Sequence, residues 1–124
     1  MIFGIGADII EVRRVEKLVA RGRQYLETIF TVKEMEYCEA KARKSEHYAA
    51  RFAAKEAILK ALGTGWRGDL AFSDIEIINN ELGQPEVIVR GEVKSFMDDH
   101  QIRQSLISLA HSREIAIAVS IMEK

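Results

Sequence analysis

The sequence predicts an α+β fold, with an antiparallel sheet packed against a long central helix in a single domain over residues 1–124. Three observations predict it. Loose apolar alternation rich in Ile opens the chain over residues 2–10. The stretch from about Glu46 to Leu62 holds mostly strong helix formers, contains no Pro and runs into Gly63, a natural helix stop. Ser105–Ala110 and Ile115–Ile121 then flank a tight turn at His111–Glu114, the pattern of a terminal antiparallel hairpin.

Composition narrows the function. Hydrophobic residues make up 48% of the chain and charged ones 30%, which is ordinary for a soluble domain. The formal net charge of −1 offers no overall positive field to collect nucleic acid or a membrane surface. One cysteine, Cys38, excludes an internal disulfide, fits a reducing compartment and reads as a helix-packing residue. No apolar run is long enough to span a bilayer, and no basic-then-apolar leader precedes Gly4, so a cytoplasmic location is expected.

Taken in order, the first strand carries Asp8 near its end, either as the N-cap of the next helix or as a carboxylate projecting into a site. Residues 11–22 predict a helix with two faces. Val12, Val15, Leu18 and Val19 form one, and Arg13, Arg14, Lys17 and Arg21 gather opposite within an arc of about 100°. That basic face is either simply solvated or a docking ridge for an acidic partner. Thr31-Val32-Lys33-Glu34 fits a capping box, so a helix starts near Val32, carries Met35 and Cys38 inward and fades near Lys44. Ser45 is then the expected cap of the central helix.

Gly63-Thr64-Gly65-Trp66-Arg67-Gly68 follows a helix and lacks Walker spacing, so its first task is helix termination. Leu70–Ile78 and Glu86–Arg90 read as paired strands around turn chemistry that includes the only proline, and Val93–His100 reads as a short helix. In the last strand Ile115, Ile117, Val119 and Ile121 alternate with Ala116, Ala118 and Ser120, which suits a strand packed on both sides. His47 and His100 read as surface residues.

The central helix carries the chemistry. Phe52, Ile58, Leu59 and Leu62 fall on one arc and Ala53, Ala54, Ala57 and Ala61 cover much of the rest, so the helix should be wrapped by other structure. Arg51, Lys55, Glu56 and Lys60 nevertheless lie on it. A carboxylate there is costly unless a cation, a metal or several donors satisfy it, and an i,i+4 pair of Glu56 with Lys60 is the simplest answer.

Phe52-Ala53-Ala54-Lys55-Glu56-Ala57, with Lys60-Ala61 and Gly63-Thr64-Gly65, resembles the signature of holo-acyl-carrier-protein synthases, the short 4′-phosphopantetheinyl transferases. Gly4-Ile5-Gly6-Ala7-Asp8-Ile9 followed by Arg14 looks like their first motif, and Leu82-Gly83-Gln84-Pro85 and Ser108–Glu114 look like their later ones. The resemblance implies a 4′-phosphopantetheinyl transferase-like fold and transfer of 4′-phosphopantetheine from coenzyme A to a serine of apo acyl carrier protein, supporting fatty acid biosynthesis. It makes Asp8 and Glu56 ligands of Mg²⁺ and, with Lys60, the catalytic set. It places Arg51, Lys55, Lys60, Gly63, Gly65, His111 and Ser112 against coenzyme A. Lys55 has a second reading, as the partner of a neighbouring carboxylate. Basic residues among Lys41, Arg43 and Lys44 come near the 3′-phosphate, and Arg13, Arg14, Lys17 and Arg21 become the docking face for acyl carrier protein. Larger relatives resemble two joined copies of this unit. A single copy with no internal repeat is therefore expected to form a homotrimer with sites between subunits.

Attack of a hydroxyl on the β-phosphorus of a pyrophosphate needs charge held on the transferring and departing groups. Hard oxygen ligands for a divalent ion, with a lysine nearby, suit that need. The same residue types suit a metal-dependent phosphohydrolase. A non-catalytic module that binds an acidic partner through its first helix is the reading from another class.

Overall fold

The computed structural model describes residues 1–64 and 70–124. Strand β1 (Ile2–Glu11) leads into helix α1 (Val12–Val19), a short turn of helix α2 (Arg23–Leu26), α3 (Val32–Glu39) and the long α4 (Lys44–Leu62). A 3₁₀ turn at Phe72–Asp74 opens the hairpin of β2 (Ile75–Asn79) and β3 (Pro85–Val89), followed by α5 (Gly91–Asp99), β4 (Gln104–His111) and β5 (Ile115–Glu123). β5 lies between β1 and β4 in an antiparallel three-stranded sheet, while β2 and β3 pair separately. The α+β architecture and the terminal hairpin stand as expected.

β1 can lie directly on α4 because it has two positions without side chains. A Cβ on Gly4 would overlap the Ala61 carbonyl oxygen, and one on Gly6 would overlap that of Ala57 and come 2.7 Å from the Ala61 nitrogen. The small face of β5, with Ala116, Ala118 and Ser120 all buried, completes the surface beneath the helix. Small residues on both sides bring backbones close, and that contact fixes where Asp8, two residues after Gly6, emerges.

The opposite face of the sheet carries the large residues. Ile9, Ile117 and Ala110 stand side by side across the three strands, as do Ile5, Ile121 and Leu106. Ile5 and Ile9 are 66% and 64% exposed and Ile117 is 41% exposed, so in one chain this face is uncovered.

Local chemistry sets the helix ends. The capping box at Thr31 is formed: its side chain accepts from the Glu34 amide, and Glu34 Oε1 accepts from the Thr31 amide at 2.9 Å. α4 begins at Lys44, so Ser45 lies inside the helix and is not its cap. Gly63 closes α4 at φ 79°, a left-handed conformation that glycine enters without strain. The helix expected over 11–22 ends at Val19, because Gly22 turns the chain at φ 102° and α2 starts in a new direction.

Candidate active site

Asp8 and Lys60 meet at the seam between β1 and α4. Lys60 Nζ donates to Asp8 Oδ1 at 3.0 Å and to the Ala7 carbonyl at 3.0 Å. The Asp8 side chain is mostly enclosed, at 16% exposure, while Lys60 reaches it from an exposed position. Asp8 is not a helix cap: α1 starts after Glu11, and its cap makes no side-chain bond. Glu56 sits one turn before Lys60 on α4 and is half-buried. Two hard carboxylates on neighbouring rigid elements, with a lysine against one of them, fit a hard divalent ion that draws its remaining ligands from substrate and water. Among the described residues no group of three or more His, Cys, Asp or Glu side chains gathers into a metal cage.

Lys55 follows its second reading and is a correction to its place against coenzyme A. It points into the core, fully buried, with its ammonium donating to Glu34 Oε1 at 2.7 Å, the Ile29 carbonyl at 2.7 Å and the Phe72 carbonyl at 3.1 Å. Three acceptors take all three N–H bonds, so none remains for a cofactor. Burial pulls this ammonium below the ordinary lysine range, with Glu34 opposing the shift. Glu34 Oε2 in turn accepts the Ile77 amide at 2.8 Å, tying α3, α4 and β2 together.

Arg51 is also buried, at 3% exposure, but differently held. Its guanidinium lies 4.1 Å over the Tyr37 ring and donates to Asn79 Oδ1 at 2.8 Å, while Nε has no acceptor among the described residues. His111 closes β4, where Nδ1 lies 3.1 Å from Glu46 Oε1 in the first turn of α4. A carboxylate can only accept, so Nδ1 carries the proton. Ser112 Oγ accepts from the Glu114 and Ile115 amides at 3.3 Å each, shaping the turn beside His111. His47 is not a surface residue: it is half-buried, with its ring edge-on to Tyr37 and to His111. Gly63 ends α4 near the Asp8 set, and Gly65, with Trp66 and Arg67, lies outside the described residues.

The basic face of α1 is open. Arg13, Arg14, Lys17 and Arg21 are all exposed, Arg13 lies 3.7 Å from Glu11, and Arg21 stacks 4.2 Å over Tyr25. Val12 and Val15 are buried on the other side. Of the patch near the start of α4, Lys41 lies over Tyr37, Arg43 faces Glu46 and Lys44 pairs with Glu39. A hollow of about 460 Å³ opens there, between Arg43–Glu46, Val12 and Arg113. Cys38 is buried in the helix packing, and burial pushes its thiol up to about 12.

The site residues thus fall into two sets. Asp8, Glu56 and Lys60 occupy β1 and the last turns of α4. Arg51, His111 and their companions Tyr37, His47, Glu46 and Asn79 occupy α3, the first half of α4, the end of β4 and the β2–β3 hairpin. The Glu46 and Tyr37 roles carried only weak sequence signals, since each pairs with a residue distant along the chain.

Residues 4–120 match the family model described as the 4′-phosphopantetheinyl transferase superfamily. The chain belongs to the 4′-phosphopantetheinyl transferase superfamily. Within it, a holo-(acyl-carrier-protein) synthase of Geobacter sulfurreducens is 44% identical over 125 residues, covering 100% of this chain and 99% of the relative. The fold matches the crystal structure of a Neisseria meningitidis holo-(acyl-carrier-protein) synthase with TM-score 0.90 and 32% identity, covering all of both chains. A Helicobacter pylori holo-(acyl-carrier-protein) synthase, solved in complex with coenzyme A, matches with TM-score 0.85 and 34% identity over 96% of this chain and 99% of that one.

Proposed function

We propose that the chain transfers 4′-phosphopantetheine from coenzyme A to a serine hydroxyl of an apo acyl carrier protein, releasing 3′,5′-ADP, as a cytoplasmic enzyme serving fatty acid synthesis. The observation that carries the reading is the 3.0 Å contact of Lys60 with Asp8, one helical turn from Glu56. Asp8 and Glu56 would hold Mg²⁺, and the ion when bound supplies charge neutralisation for the pyrophosphate and fixes its orientation. Lys60 stands ready to donate to a phosphoryl oxygen as negative charge develops, at a position already electrically paired and so costing little reorganisation. Arg51 and His111 bind the nucleotide end, and Ser112 holds the turn that presents His111. Lys55 has no part in binding; it anchors the helix. The exposed Arg14 and Lys17 face an acidic carrier surface, where local charge complementarity speeds encounter and sets register.

The site is completed between copies in a homotrimer. Two features support this: the site residues divide between the first half and the last turns of α4, and the outer face of the three-stranded sheet exposes Ile5, Ile9, Leu106, Ile117 and Val119. Light scattering should give three chains per particle, and a monomer at working concentration would overturn the shared site. Incubating the chain with coenzyme A, Mg²⁺ and apo carrier protein tests the activity. The carrier should gain one phosphopantetheine by mass spectrometry. Phosphopantetheine left free in solution would make the chain a phosphohydrolase, and unchanged coenzyme A would make it a binding module.

A further inference from the structure

We infer that Tyr37 and His47 form a stacked spacer that fixes Arg51 relative to His111, making them positioning residues for the nucleotide end of coenzyme A. The inference rests on the cofactor reading above and adds two residues to it. The contacts run without a break. The Arg51 guanidinium lies 4.1 Å over the Tyr37 ring, whose centroid is 5.7 Å from His47 at an interplanar angle of 73°. His47 is 5.0 Å from His111 at 65°, and His111 ends on Glu46 at 3.1 Å. Each aromatic step is edge-to-face, the arrangement that ring quadrupoles favour. Three elements contribute: Tyr37 from α3, His47 and Arg51 from α4, and His111 from β4. His47 and Arg51 are four residues apart and share a face of α4. Tyr37 therefore spans the gap between them from outside the helix.

The spacer works only if its middle member is uncharged. The groups facing His47 are His111 from β4, Lys41 from the segment after α3, and Arg51 and Glu46 from its own helix. Burial, and then the fields of His111, Lys41 and Arg51, pull His47 below its ordinary value, with Glu46 opposing. At neutral pH the ring is a neutral wedge. In acid it would carry charge among groups that must themselves present positive charge to phosphate.

Steady-state kinetics of the wild-type chain and two variants between pH 5 and 8 test this, since the charge on His47 appears only below its ordinary value of 6.5. His47→Ala should raise KM for coenzyme A by about three- to tenfold, the worth of an aromatic contact, against at most about a twofold change in kcat. His47→Phe keeps the ring edge but cannot titrate. It should recover most of the affinity at pH 8 and show a shallower rise in KM than wild type as the pH falls to 5. Absence of transfer by the wild-type chain would overturn both the cofactor reading and the spacer. With transfer present, an unchanged KM in His47→Ala, or an equal loss in His47→Phe and His47→Ala, would overturn the spacer alone.

Discussion

Gly6 of β1 and Ala57 of α4 meet backbone to backbone, and a single methyl group on Gly6 would overlap the Ala57 carbonyl oxygen. Neither partner can rotate away, since one is strand and the other is mid-helix. Asp8 follows two residues later on the same face of the strand and takes the Lys60 ammonium. Gly6→Ala should therefore part β1 from α4, costing about 1–3 kcal/mol as overpacking does. It should also cost activity out of proportion, because the Asp8–Lys60 contact depends on that approach. Urea midpoints and transfer rates measured on the same preparation check this, and an unchanged rate would show that the close approach does not set the site.

The Lys55–Glu34 pair holds α4 from its other side. Both side chains are fully buried, so removing one charge strands the other. Lys55→Met should cost about 3–5 kcal/mol, whereas Lys55→Met combined with Glu34→Gln should be the more stable of the two variants. Denaturant unfolding of both variants checks the order. If the double variant is the less stable, the Glu34 charge contributes through its bonds to the Thr31 and Ile77 amides more than through Lys55.

Much of this was legible in the chain, and the parts that were not share a cause. The capping box, the Gly63 stop and the small-large alternation of β5 are local patterns, readable because the residues that decide them are neighbours. Lys55 and Glu56 are also neighbours, yet about 100° of helical rotation separates a fully buried side chain from a half-buried one. Which goes where depends on Glu34, a residue 21 positions earlier whose visible role was the capping box. His47 reads as a surface residue until His111 is folded against it, and nothing near either histidine announces the other. The Lys60 contact with Asp8 spans 52 positions, and no residue near Lys60 in the sequence announces it.

Tyr48 and Glu39 give a stability effect with a definite pH signature. The buried Tyr48 hydroxyl donates to Glu39 Oε2 at 2.8 Å and, with Lys44, holds that carboxyl below its ordinary value of 4.5. A carboxylate depressed by folding stabilises above its unfolded pKa, and the contribution fades as pH falls through the folded value. Tyr48→Phe should lose about 1 kcal/mol near pH 7. The gap from wild type should narrow progressively below pH 4.5 as Glu39 is protonated in both proteins. A gap independent of pH would assign the loss to packing instead.

The division of the site into two sets has a consequence that no single-chain variant can reveal. Asp8→Ala removes one set and His111→Ala the other, so each alone should be nearly inactive or strongly impaired. Mixed and reassembled at equal ratio, chains of the two kinds would pair at random around a cyclic oligomer. About a quarter of the interfaces would then join the intact Asp8 set of one chain to the intact His111 set of its neighbour. Activity should rise toward that fraction of wild type after mixing, and unfolding and refolding the two variants together should speed its appearance. If each chain instead used its own Asp8 with its own His111, every site in the mixture would lack one of the two. Activity would then stay at the average of the parents at any ratio. That second outcome would place both sets in one subunit's pocket and leave the exposed sheet face without a catalytic reason to be covered.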